Sequence, residues 1–194
     1  MKKIGLKNFR SLKDTGSVPI EPITILLGQN SSGKSTFLRS FALLKQSIGV
    51  RAREPFLWVG ELVDFGGITE TLSTFATEGS VSFEYEFEIP LNSYLSRGGF
   101  SNGARESIQK VKVSVSEQAK GIDKTGAVFS YVFSIDTEVI EFGLSQDGVF
   151  TEFKINGIDY HGLVCDRYHA KVWKGPIPSF QGTRQAIHLT LFRK

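Results

Sequence analysis

Eight consecutive residues carry the clearest chemistry in this chain: Gly28, Gln29, Asn30, Ser31, Ser32, Gly33, Lys34 and Ser35. They match the phosphate-binding pattern G-x-x-x-x-G-K-[ST] at every fixed position. Glycines let the backbone curl with its N–H groups inward, and a helix starting inside the motif adds partial positive charge. The pattern assigns Lys34 to the β- and γ-phosphates and the Ser35 hydroxyl to one ligand position on Mg²⁺. Such a loop must join a buried strand to a helix. Residues 23–27, ITILL, form an apolar β-branched run of strand length that Gly28 ends. After Ser35, the residues Leu38, Phe41, Ala42 and Lys45 recur at helical spacing. Strand, motif and helix lie in register, so the sequence reads as nucleotide-binding.

Composition narrows the setting. A chain of 194 residues can form one full domain or part of a larger one. Its 40% hydrophobic and 22% charged residues are ordinary globular values. A net charge of +3 is too mild to argue for nucleic acid by itself. Cys165 stands alone, which excludes a disulfide framework or a cysteine-based metal site and fits a cytoplasmic setting. The opening MKKIGLKNFRSLKD has no long apolar segment behind its lysines, so it reads as neither signal peptide nor membrane anchor.

The elements around the motif change character along the chain. Residues 2–8 read as a short strand, residues 47–61 as a loop, and residues 69–76 as a short helix. From Val81 the pattern is β. Val81, Phe83, Tyr85, Phe87 and Ile89 alternate with Ser82, Glu84, Glu86 and Glu88, which predicts one buried and one acidic wet face. Residues 90–107 read as an exposed loop, and further alternating runs follow at 111–115, 129–135 and 140–144. Asp147-Gly148 and Asn156-Gly157 predict hairpin turns within an antiparallel meander. The expected division is a P-loop core over residues 1–80 and an antiparallel β-subdomain with a return strand over 81–194. The last alternating run, Ile187, Leu189 and Leu191, breaks off at Lys194, so the chain reads as the front part of something longer.

The stretch IGLKNFRSLKD followed by ITILLGQNSSGKSTFLRSFALL resembles the N-terminus of ABC-type head ATPases. That group includes SMC and RecF proteins and the AAA-15/OLD-like ATPases of bacterial defence, with the Septu ATPase as the nearest type. Asn30 matches the asparagine typical of that group's loop, and the likeness covers residues 2–48. It implies an α/β P-loop NTPase lobe that binds ATP with Mg²⁺ through residues 28–36, Thr36 included. By the same resemblance Asn8, Arg10 and Ser11 lie near the nucleotide, and Gln181 stands where such heads carry a Mg²⁺-sensing glutamine. It also implies a head-to-head dimer or higher homo-oligomer, a nuclease partner in phage defence, contact with DNA or RNA, and no membrane. The rival readings are a RecF/SMC-like repair head and an ATP-sensing assembly subunit without turnover.

No catalytic residue is assigned. A hydrolysing site needs an acidic residue at the end of an apolar strand and a group to orient water. The run Tyr131 to Asp136 is the nearest match, but Ser134 breaks it and Thr137 stands where a glutamate belongs. Leu95 to Gly99 spells a passable ABC signature inside a Ser/Gly-rich loop. Both are expected to be decoys, with the acidic and signature motifs in a C-terminal lobe absent from this chain. His161, His169 and His188 show no metal-ligand spacing. Robust hydrolysis is therefore not expected of this chain alone.

Overall fold

The alternation at Val81 builds the centre of the molecule. In the computed structural model, which describes residues 1–48, 51–52, 54–76, 79–90, 108–119, 128–165, 168–174 and 178–182, strand β5 spans Ser80–Pro90. In chain order it follows β1 (Lys3–Phe9), β2 (Leu12–Asp14), β3 (Val18–Pro19), helix α1 (Lys34–Ile48), β4 (Arg51–Ala52) and helix α2 (Ile68–Thr71). Val81, Phe83 and Tyr85 are buried, while Glu84 and Glu86 point outward to Lys112 and Lys3 at 2.9 and 3.1 Å. A slip of one residue would turn Glu84, Glu86 and Glu88 into the core, and burying unpaired carboxylates is prohibitive. The expected register is the observed one. These surface ion pairs stabilise little, each by about 0–1 kcal/mol.

The meander continues through β6 (Ile108–Gln118), β7 (Phe129–Ile135), β8 (Glu138–Leu144), β9 (Phe150–Ile155) and β10 (Ile158–Asp159). Its turns are the ones the sequence marks. Asn156 and Gly157 both have positive φ, 52° and 79°, as a type I′ turn requires. Asn156 also accepts a hydrogen bond from the Val139 amide at 2.8 Å, which ties two hairpins together. Gly148 supplies φ 76° after Asp147.

β1 enters the same sheet beside β5, in the order β10-β9-β8-β7-β6-β5-β1-β2, with β3 on the end of β1. The sheet thus crosses the expected boundary at residue 80. Its inner face carries two aromatic groups. Phe9, Phe56, Trp58, Phe65 and Phe83 meet at ring separations of 4.4–6.3 Å, and Tyr131, Phe142, Phe150 and Phe153 form a second group. Helix α1 adds Phe37 and Leu43 to this core.

Four expectations need correction. Residues 47–61 are not a bare loop: β4 forms there, and Phe56 and Trp58 are core residues. Gln46 and Ser47 hold that segment, Gln46 accepting from the Leu62 and Val63 amides at 3.2 and 3.0 Å and donating to the Val63 carbonyl. The short helix ends at Thr71, not Ala76, because the chain then pairs with the end of β1. Arg10 N donates to Thr71 O, Ser73 N donates to Asn8 O, and Leu72 bridges Phe9. Pro176, Pro178 and Gly182 lead one to expect irregular chain over residues 173–185, yet its described residues 173–174 and 178–182 lie in strands: β11 (Tyr168–Lys174) and β12 (Pro178–Gly182) form a second sheet with β4. Finally, residues 23–27 form no strand at all. They are exposed apart from half-buried Leu26, because among the described residues no neighbour lies along either edge.

Candidate functional site

The phosphate-loop residues do come together as a cradle. Phe37 N donates to Gly33 O at 2.8 Å, the bond that opens α1. The amides of Lys34, Ser35 and Thr36 come before it and have no intrahelical acceptor, as at any helix start. Gly33 has φ 93°, and a Cβ there would lie 2.4 Å from Leu12 Cδ2 and 3.1 Å from Ser11 Oγ. Glycine is therefore required twice over, by backbone angle and by the β1–β2 turn pressed against the loop. Ser31 also takes a left-handed φ, 63°.

Lys34 folds back over the loop. Its Nζ donates to Gly28 O at 2.8 Å and to Gln29 O at 2.6 Å. The ammonium is thus held above the loop by neutral carbonyls, with no carboxylate bound to it among the described residues. Beside it lies an open depression of about 360 Å³ lined by Ser11, Asn30, Ser31, Gly33, Lys34, Ser35 and Thr36. Hydroxyls, free helix-start amides and one cation make a donor set suited to a polyphosphate. For Mg²⁺ the described residues offer the Ser35 hydroxyl, and no group of three His, Cys, Asp or Glu among them could hold a metal ion. The donor set therefore fits the triphosphate well and the metal from one side. A bound nucleotide would bring the phosphates, which the Lys34 ammonium and the free amides at the start of α1 would orient and neutralise.

The residues assigned by resemblance divide. Ser11 lines the depression. Asn8 does not: it is buried and its Nδ2 donates to Ser80 O at 3.1 Å, so it holds β1 to the start of β5. Arg10 is exposed, has φ 52°, and places its guanidinium 5.6 Å from the centre of the Phe65 ring. Arg39, which sequence reasoning missed, stands 5.0 Å from the same centre. No local pattern could have found that pair, since it exists only through Phe65. Gln181 lies in β12, paired with His169 of β11. Asp136 sits exposed in the turn between antiparallel β7 and β8 with φ 53°, which disqualifies it as the acidic end of a parallel strand. Leu95 to Gly99 fall outside the described residues.

A strand-less phosphate loop opening α1, set beside an antiparallel sheet, defines a P-loop nucleotide-binding protein. The chain belongs to the AAA-15 family, described as an AAA ATPase domain, whose model matches residues 1–154. No curated protein and no solved structure matches it. Among the described residues no helix is long and apolar enough to cross a membrane.

Proposed function

We propose that this chain is the Mg-ATP-binding lobe of an ABC-type head ATPase. In this reading ATP binding and head-to-head dimerisation control a partner nuclease in phage defence. The observation that carries it is the cradle at residues 28–36, with Lys34 poised over the loop and the depression beside it. Membership of the AAA ATPase domain family supports the nucleotide, and the N-terminal resemblance supports the ABC-type head and the defence setting. A second reading, ATP sensing without turnover, draws on Asp136 in its exposed turn. Phosphoryl transfer relies on positioning and charge stabilisation, and half a site gives little of either.

Calorimetric titration of ATP and Mg²⁺ into wild type and Lys34→Ala tests the binding claim. Charge-assisted contacts to phosphate are the strong ones, so the variant should lose tenfold or more in affinity, about 1.4 kcal/mol or beyond. Equal affinity in the two proteins would end this reading. Steady-state ATPase on the same proteins tests the sensor reading: robust turnover by the wild type, lost in Lys34→Ala, would rule it out.

A further inference from the structure

Phe65 gathers two cations that the phosphate cradle does not use. Arg39 Cζ lies 5.0 Å and Arg10 Cζ 5.6 Å from the centre of its ring. The ring is buried and packed edge-on against Phe9, while both arginines are exposed. Among the described residues neither guanidinium is paired with a carboxylate. The acids nearest the ring in sequence are turned elsewhere. Asp64 accepts from the Gly66 amide at 2.8 Å, and Glu70 folds against Gly66 and Gly67. Two like charges on one ring repel each other, and a cation–π contact at an exposed site offsets little of that. An anion beside the pair removes the repulsion.

Position says which anion. Ser11, the neighbour of Arg10 in the chain, and Ser35 both line the depression beside the loop. The turn after β1 that carries Arg10 presses Ser11 and Leu12 against Gly33. Arg39 follows Ser35 by four residues in α1, so the two share one face of the helix. Helical side chains lean back toward the N-terminus, which directs Arg39 over the turn that carries Ser35. Lys34 meanwhile folds toward Gly28 and Gln29. The loop thus has its own lysine over Gly28 and Gln29 and the arginine pair next to Ser11 and Ser35.

We propose that Arg39 is a second phosphate-binding cation of this site, donating to a phosphate oxygen of the nucleotide that the cradle holds. The proposal rests on reading residues 28–36 as a nucleotide cradle. On binding, the guanidinium exchanges a weak contact with Phe65 for a charge-assisted hydrogen bond, and the repulsion between the arginines is relieved. Until then Phe65 limits the freedom of a long side chain, so less order is lost when the nucleotide arrives.

Calorimetric titration of Mg-ATP into the full chain, repeated at several salt concentrations, tests this with Arg39→Gln, Arg39→Lys and Lys34→Ala. Arg39→Gln should weaken binding about tenfold, as loss of a charge-assisted phosphate contact does. Arg39→Lys keeps the charge and should stay within about threefold of wild type. Wild-type affinity should fall more steeply with salt than that of Arg39→Gln, because one fewer charge is screened. Without nucleotide, both Arg39 variants should unfold within about 4 °C of wild type, since an exposed cation–π contact contributes little. If Lys34→Ala loses affinity and Arg39→Gln does not, the proposal is overturned and the cradle stands. If neither variant loses affinity, the cradle reading falls and takes the proposal with it. Equal losses in Arg39→Gln and Arg39→Lys with an unchanged salt slope would overturn it in favour of packing on Phe65.

Discussion

Two apolar runs in this chain look alike on paper and behave oppositely in space. Residues 81–89 and residues 23–27 are both strand-length and rich in β-branched or aromatic residues. Val81, Phe83 and Tyr85 are almost wholly buried, whereas Ile23, Ile25 and Leu27 face solvent. The difference lies in the neighbours. β5 has β1 on one edge and β6 on the other, with Phe9, Phe56 and Trp58 against its inner face. The run before the phosphate loop has neither edge covered among the described residues. Sequence pattern declares a preference for extended backbone; burial must be supplied from elsewhere in the chain or assembly.

The sharpest test of that contrast is a pair of substitutions. Phe83→Ala should cost about 3–5 kcal/mol, because it removes a ring at the centre of the aromatic core and leaves a cavity. Ile25→Thr should change stability by no more than about 0.5 kcal/mol, as exposed substitutions do. Urea unfolding of both variants gives the comparison. Equal losses would mean that residues 23–27 are as buried as β5.

A smaller effect is expected where helix α1 grips the segment after it. Gln46 is buried, and its amide serves the backbone of Leu57, Leu62 and Val63. Gln46→Ala would strand several of those groups, at a cost of about 2 kcal/mol. The same variant should bind ATP within about twofold of wild type, because Gln46 stands more than three helical turns from Lys34. Thermal unfolding and calorimetry together check both halves. A large loss of ATP affinity would show that the two ends of α1 are not independent.

How much of this was legible in the sequence follows from the same contrast. The β5 register, the Asn156-Gly157 turn and the phosphate cradle were readable because each rests on local rules: period two, positive φ, and a fixed motif. The burial of Asn8 was not, because its partner Ser80 lies 72 residues away. Nor was the structure in residues 47–61. Phe56 and Trp58 became core residues only once Gln46 and Ser47 fixed the backbone between them. The Arg10–Phe65–Arg39 contact and the short α2 are likewise products of long-range pairing, which overrides helical spacing. At the site, the cradle and Ser11 beside it were readable, and the paired arginines on Phe65 were not.

A last, small effect tests how completely β5 is sealed. Tyr85 is fully buried in the sheet's core, stacked beside Phe83, and its hydroxyl has no hydrogen-bond partner among the described residues. Burial pushes that hydroxyl far above the usual tyrosine range, so it stays neutral when folded. An unsatisfied buried hydroxyl costs about 1–3 kcal/mol, part of which a phenylalanine of the same shape recovers. Tyr85→Phe should therefore be neutral or stabilising by up to about 1 kcal/mol at pH 7. The pH dependence has a definite sign. Above pH of about 10 an unfolded tyrosine loses its proton while the folded one keeps it, so the folded state holds more protons and stability falls as pH rises. Below that range both states are protonated and the group contributes no slope. Urea midpoints measured from pH 8 to 11 should thus fall for wild type and fall less for Tyr85→Phe. Parallel curves would mean that water reaches the Tyr85 hydroxyl, and that the inner face of β5 is less closed than its neighbours imply.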